Sequence, residues 1–214
     1  MIEVKNLFLS YTKDYFSLYD VNLKLSSGEK VVLCGKKESG KSSLLRVITG
    51  LEKPFSGNVY YKNIPVEKID FSKDISLAYL PSKPLFIEGK TVKQNLEYPL
   101  KIRKINKQII EVKMKNVIKS FELETILGMK MKNLSHYNRV KVALARFALR
   151  NIDIFVIDDI FGELNEGESK KIIGHINDLV VSNSATMLIA TSNEKFNKLL
   201  GDRVVKIDSG SIID

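Results

Sequence analysis

The sequence predicts an α/β protein in which a largely parallel sheet is covered by helices and interrupted by a helical insertion. Three observations predict it. Strand-like apolar runs and helical runs alternate in the second half of the 214-residue chain, and the first half reads as strands and turns. A glycine-rich stretch, "GKKESGKSS" at 35–43, stands between an apolar run and a helical one. Between about 91 and 150 the strand pattern gives way to apolar residues recurring every three or four positions.

In chain order, "IEVKNLFLSY" and "VNLKLSSGEKVVLCG" alternate apolar and polar residues, with Gly28 as punctuation. "SGNVYYKNIPV" continues the pattern after the breakers Pro54, Ser56 and Gly57. "TVKQNLEYPL" and "INKQIIEVKMKNVIKSFEL" are helical, and "KMKNLSHYNRVKVALARFAL" reads as a loop opening a further helix. After 150, the strands "IDIFVID" and "ATMLIATS" flank the helical "EGESKKIIGHINDLVV". There is no repeat, low-complexity segment or flexible linker.

Composition narrows the class. Hydrophobic content of 44% and charged content of 28% are those of a soluble globular protein, and the length suits one sizeable domain with a subdomain. No window approaches 18 apolar residues, so no transmembrane helix is expected. "MIEVKNLFLSYTKD" lacks a basic-then-apolar leader, so secretion is not expected either. The single cysteine, Cys34, excludes an internal disulfide and suits a reducing cytosolic compartment. Its place in "VVLC" reads as a small buried hydrophobe. The formal net charge is +9, and segment 93–141 holds twelve Lys/Arg against four Glu. A solvated lysine-rich face is the leading reading, and attraction to an acidic membrane surface or partner is the second. Nucleic acid comes last, because the segment lacks the clustered aromatics of a base-stacking platform.

The glycine-rich loop satisfies G-x-x-x-x-G-K-[ST] through Gly35, Gly40, Lys41 and Ser42. Glycines let the backbone turn so that amide N–H groups point at phosphate oxygens. Lys41 adds positive charge at the β- and γ-phosphates, and Ser42 is a candidate Mg²⁺ ligand. The following "KSSLLRVITG" opens a helix whose N-terminal dipole favours an anion. The alternative is a plain strand–helix turn. A second element, "IFVIDD", places Asp158 and Asp159 after the apolar residues Ile154 to Ile157. Paired carboxylates at a buried strand end repel unless a cation is present, and the loop implies one. A structural strand with solvated aspartates is the rival reading.

With both elements placed, nearly the whole chain resembles the ATP-binding cassette of ABC transporters. Tyr11 matches the aromatic that stacks on adenine in that family. "NLSHYNRVKVALARFAL" stands where the family has its LSGGQ loop and helix, "DDIFGELNE" resembles the run "DEPFGALD", and "LPSKPLFIEGKTVKQNL" resembles the Gln-loop region. The resemblance implies a P-loop NTPase core with a mixed sheet, plus a helical subdomain and an N-terminal antiparallel β subdomain. It implies one domain over 1–214, with 1–90 and 150–214 forming the nucleotide-binding lobe and 91–149 the helical subdomain. ATP and Mg²⁺ are the implied cofactors, held by Tyr11, Gly35, Lys36, Lys37, Glu38, Ser39, Gly40, Lys41, Ser42, Ser43 and Asp158. The implied partners are a separate transmembrane protein and a second cassette, as homodimer or heterodimer, at the cytoplasmic face of a membrane.

The sequence also departs from the family pattern. Ser82 stands in place of the Gln-loop glutamine, and His136, Tyr137 and Asn138 follow Leu134 and Ser135 where the family has Gly, Gly and Gln. Cβ-bearing residues there oppose close approach of backbone amides to a γ-phosphate. Asp159 replaces the glutamate that polarises water, pulling the carboxylate back by roughly 1 Å, a misplacement that can cost about a hundredfold in rate. Asn165 replaces the aspartate of the loop crossing the dimer interface, and Ser192 replaces a histidine that contacts the γ-phosphate. The changes predict weakened hydrolysis, with Lys41 and Asp159 as the catalytic candidates. A rival reading makes the chain a regulatory subunit with ATP as structural ligand, such as the inactive half of a heterodimer. His136 reads as an ordinary loop residue or a phosphate donor, Tyr137 as a partner contact or a half-packed aromatic, and His175 as a surface or boundary residue.

Overall fold

In a computed structural model, which describes residues 1–12, 15–71 and 73–213, the N-terminal alternation becomes two long antiparallel strands, β1 (Ile2–Thr12) and β2 (Tyr15–Leu25). Along β1 the buried positions shift from even (Ile2, Val4) to odd (Leu7, Leu9). The pairing register is irregular between Val4 and Leu7, and Asn6 between them has φ 44°. An extra residue in a strand flips every later side chain to the other face, so this irregularity keeps both halves of β1 buried. β4 (Ser56–Tyr61) pairs with the other edge of β1, and β5 (Ile64–Pro65) completes a four-stranded sheet. Lys62 and Asn63 join β4 to β5 with φ 49° and 68°, the two positive values that a tight hairpin turn requires.

The second sheet has six strands. β3 (Lys30–Cys34), β6 (Leu77–Leu80), β7 (Ile154–Asp158), β8 (Thr186–Thr191) and β9 (Arg203–Asp208) run parallel, while β10 (Ser211–Ile213) turns back antiparallel to β9. The order β10-β9-β3-β8-β7-β6 makes the sheet mixed, as the resemblance implies. Every residue of β7 and β8 is buried, and so they read in the sequence as unbroken apolar runs. β6 and the β9–β10 hairpin were not predicted. β6 is only four residues long, and β9 exposes alternate residues along a lysine- and arginine-bearing stretch.

The chain divides into two units, one of 1–82, 152–162 and 180–214, the other of 83–151 and 163–179. The first carries both sheets and helix α1 (Lys41–Ile48). Leu7, Leu18, Leu25, Leu33, Leu44, Leu45, Ile48 and Val59 form one buried cluster there, joining the antiparallel sheet, α1 and the parallel sheet. Cys34 is buried, as its apolar run predicts. Tyr61 is the large polar member of the cluster, and its hydroxyl donates to the carbonyl of Ile48 at 2.5 Å. That carbonyl ends α1 and would otherwise lack an intrahelical partner.

The second unit is helical. It contains α2 (Val92–Ile102), α3 (Lys107–Ser120), α4 (His136–Phe147) and the greater part of α5 (Glu166–Asn183). Thr91 and Gln94 form a reciprocal capping box at the start of α2, and Asn106 caps α3. Val92, Leu96 and Leu100 recur at four-residue spacing on the buried face of α2, and Ile110, Met114 and Val117 do the same work in α3. Lys93, Lys101 and Lys107 are solvated, as the leading reading of the charge has it. Lys141 is the exception at 6% exposure, with its ammonium donating to the Glu122 carbonyl at 3.1 Å.

Replacing Tyr61 by Phe leaves the Ile48 carbonyl buried without its donor. Urea denaturation of Tyr61→Phe is expected to show a loss of about 1–3 kcal/mol with an unchanged m-value; an unchanged midpoint would show the bond to be irrelevant.

Candidate functional site

A parallel sheet opens all its carboxyl ends on one edge, where loops gather around a ligand. Gly35 follows β3, Ser82 lies just beyond β6, Asp158 ends β7 with Asp159 after it, and Ser192 follows β8. β3, β8, β7 and β6 are consecutive neighbours. Residues scattered over more than 150 positions of sequence therefore face one edge.

The loop from Gly35 to Ser43 links β3 to α1. Gly40 is the N-cap of α1 with φ 100°, a conformation costly for any residue with a Cβ. A Cβ on Gly35 would run into the carbonyl oxygen of Ile207. Lys36, Lys37 and Glu38 are exposed, while Ser39 is buried and its carbonyl accepts from the Gly210 amide at 3.0 Å. Lys41 is only 4% exposed, and its ammonium donates to the carbonyls of Gly35 at 2.7 Å and Lys36 at 2.5 Å. Burial lowers its pKa, against the pull of Asp159 and Asp158.

Asp158 is 3% exposed and accepts a 2.9 Å hydrogen bond from the Ser42 hydroxyl. Burial raises its carboxyl above the usual range and Asp159 adds to this, opposed by the Ser42 donor, Arg46 and Lys41. Tyr79 of β6 is pushed up to about 12, first by burial and then by Asp158. A hydroxyl and a buried carboxylate in contact are hard oxygen donors that suit Mg²⁺, a cation held by one or two protein oxygens plus phosphate and water. Among the described residues no group of three or more His, Cys, Asp or Glu is placed to cage a metal by itself.

Asp159 has φ 35°, an uncommon backbone for a non-glycine residue. Its amide donates to the Ala190 carbonyl at 3.0 Å. Its carboxylate accepts from both the hydroxyl and the amide of Ser192, at 2.7 and 3.2 Å. Asp159 and Ser192, 33 positions apart, thus form one bonded pair. Nothing in their sequence spacing signals it; only the adjacency of β7 and β8 does. Tyr11, 54% exposed at the end of β1, donates from its hydroxyl to Glu52 at 2.8 Å and lies 3.2 Å from the Ser43 hydroxyl. Sequence reasoning missed Glu52. Ser82 is exposed.

The remaining predicted positions belong to the helical unit. Leu134 is half-buried, and Ser135 caps α4 by accepting from the Asn138 amide at 3.4 Å. His136, Tyr137 and Asn138 form the first turn of α4, and none has positive φ, so this backbone does not require glycine. Tyr137 is half-packed, with the Lys141 ammonium 5.4 Å from its ring centre, and burial raises its pKa. The segment before α2 is tied to α4 by Arg139, which forks onto Glu88 at 2.6 and 2.9 Å and also donates to the carbonyls of Pro84 and Met131. Asn165 caps α5. Its side-chain oxygen accepts from the Glu168 amide at 2.9 Å, and the Glu168 carboxylate accepts from the Asn165 amide at 3.1 Å. Asparagine and aspartate cap equally well, so the cap survives the replacement. His175 occupies a boundary position, stacked on Phe121 at 4.5 Å, and burial lowers its pKa. Among the described residues no helix is long and apolar enough to cross a membrane.

Residues 18–162 match the family model described as ABC transporter. The chain is 32% identical over 212 residues to the sn-glycerol-3-phosphate import ATP-binding protein UgpC of Bartonella bacilliformis, covering 99% of this chain and 61% of that protein. The protein of the same name from Rhizobium meliloti is 31% identical over 99% of this chain and 60% of its own length. The chain thus spans about three fifths of the curated relatives it matches. Among solved structures, the ATP-binding cassette MJ0796, in a dimeric post-hydrolysis state bound to ADP and Pi, superposes with a TM-score of 0.88 at 25% identity, covering 100% of this chain and 97% of that one. A second dimeric structure of that cassette gives 0.86 at 26%, with the same coverage.

If Asn165 serves as a cap, Asn165→Asp should leave thermal stability unchanged, whereas Asn165→Ala should cost about 1 kcal/mol. Equal losses from both, measured by thermal melts, would rule the cap out.

Proposed function

This chain belongs to the ABC transporter family, and we propose that it is the ATP-binding subunit of a transport complex. In this reading ATP·Mg²⁺ lies at the carboxyl edge of the parallel sheet, a separate transmembrane protein is the partner, and a second cassette closes over the nucleotide. The subunit works at the cytoplasmic face of the membrane, and 1–214 acts as one nucleotide-binding domain. The observation that carries the reading is the meeting of Lys41, Ser42 and Asp158 at one edge, with loop and α1 N-terminus beside them.

Each group then has a task. The loop amides from Lys36 to Ser43 face the phosphates, and Lys41 exchanges its carbonyl partners for phosphate oxygens. Ser42 and Asp158 would hold Mg²⁺, which would supply positive charge to the phosphates. The ring of Tyr11 stacks on the base. Water attacks the γ-phosphorus in line with the departing β-phosphate oxygen, oriented by Asp159. That carboxylate is short and already accepts twice from Ser192, so it directs water poorly and turnover is slow. Leu134, Ser135, His136, Tyr137 and Asn138 present the first turn of α4 to the nucleotide of the second cassette. Asn165 borders the same contact, and Ser82 adjoins the γ-phosphate side.

A thermal melt with ATP and Mg²⁺ should show a clear upward shift in the wild type and none in Lys41→Ala. Absence of a shift in the wild type would end the reading. Steady-state hydrolysis is expected below about 1 s⁻¹, the low end of ordinary enzymes. Asp159→Ala should reduce it at least tenfold further, with ATP affinity altered less than threefold; undiminished hydrolysis in that variant would remove Asp159 from the reaction.

A further inference from the structure

Tyr11 is a solvent-facing aromatic, and an unrestrained ring in that position would sample several rotamers. Its hydroxyl is instead tied to α1 and to the turn that follows it. It donates to the Glu52 carboxylate at 2.8 Å and lies 3.2 Å from the Ser43 hydroxyl in the first turn of α1. Glu52 lies four residues beyond the end of α1, so both ties belong to the helix that follows the loop and the turn that ends it. Next to the ring is an open pocket of about 450 Å³ lined by Ser10, Tyr11, Thr12, Phe16 and Phe55. Phe16 and Phe55 meet edge to face with centroids 5.7 Å apart, giving the pocket an apolar aromatic wall. Arg46 is a further partner of the Tyr11 side chain. Burial works against its charge, while Tyr11, Tyr79 and Glu52 favour it, and its pKa is raised.

We propose that Glu52 is a positioning residue for the nucleotide base: by fixing the Tyr11 hydroxyl, it holds the ring against the Phe16–Phe55 pocket, so that a planar base binds an aligned surface. The inference rests on the nucleotide reading above and adds a residue outside the loop to it. Because Ser43 belongs to the phosphate loop, the same tie fixes the distance between base site and phosphate site. Glu52 is placed to act on the base through Tyr11, from whose hydroxyl it accepts.

The test compares ATP with inorganic tripolyphosphate, which presents the phosphates without a base, by calorimetric titration in Mg²⁺ on the full chain. Loss of one solvent-exposed hydrogen bond predicts that Glu52→Ala weakens ATP binding about three- to tenfold and leaves tripolyphosphate affinity unchanged. Glu52→Gln, whose amide oxygen still accepts, should restore ATP affinity. Tyr11→Phe, which loses the Ser43 contact as well, should weaken ATP binding at least as much as Glu52→Ala, and the double variant should be no weaker than Tyr11→Phe. Equal weakening of ATP and tripolyphosphate, or additive losses in the double variant, would overturn the positioning role, since either result means that Glu52 acts independently of Tyr11. Wild-type protein that binds neither ligand would defeat the nucleotide reading itself, a result distinct from wild-type binding that Glu52→Ala does not change.

Discussion

A carboxylate buried to 3% exposure is the constraint on which the site depends. Placing Asp158 at the end of an otherwise apolar strand takes a charge out of water, and burial accordingly lifts its pKa. Several features of the first unit offset that cost. The Ser42 hydroxyl reaches it from the first turn of α1, which fixes that helix against β7. The Lys41 ammonium, itself buried and drawn by Asp158 and Asp159, lies on the loop carbonyls nearby. Strand β7 must then be apolar on both faces to hold its end in place, and it is buried at every residue. Gly35 and Gly40 follow from the same requirement, because the loop must pass close to Ile207 and enter α1 through φ 100°.

Much of this was legible in the sequence, for reasons that differ by element. The phosphate loop and "IFVIDD" could be read because each concentrates unusual chemistry in a short run between apolar segments. α2 and α3 were legible from three- and four-residue spacing, and their caps stand at Thr91 and Asn106. β6, β9 and β10 were not, since short or half-exposed strands are defined by neighbours far away in sequence. The same physics limited the reading of the site. Which residues reach the carboxyl edge follows from strand order, but which side chains meet there does not. The Ser192–Asp159 pair, the Glu52–Tyr11 bond and the Arg139–Glu88 fork all join segments more than 30 residues apart.

The positions expected to differ from the family pattern take on a different character in the structure. Asn165 keeps the helix cap that an aspartate would make. His136, Tyr137 and Asn138 occupy ordinary helical backbone, so their difference from glycine lies in side-chain bulk rather than in the path of the chain. Asp159 and Ser192 form a bonded pair, so the two positions act together. In it a short hydroxyl donates to a short carboxylate. In the proposed reading it leaves nucleotide binding intact and slows the step that needs an oriented water.

The claim that Asp158 is kept for a cation rather than for the fold is tested most directly by Asp158→Asn. The amide matches the carboxylate in shape and can still accept from Ser42, while removing the buried charge. Without nucleotide, the variant should melt at or above the wild-type temperature, and its ATP affinity should no longer depend on Mg²⁺. A variant that melts well below the wild type while keeping undiminished Mg²⁺-dependent ATP binding would contradict the account.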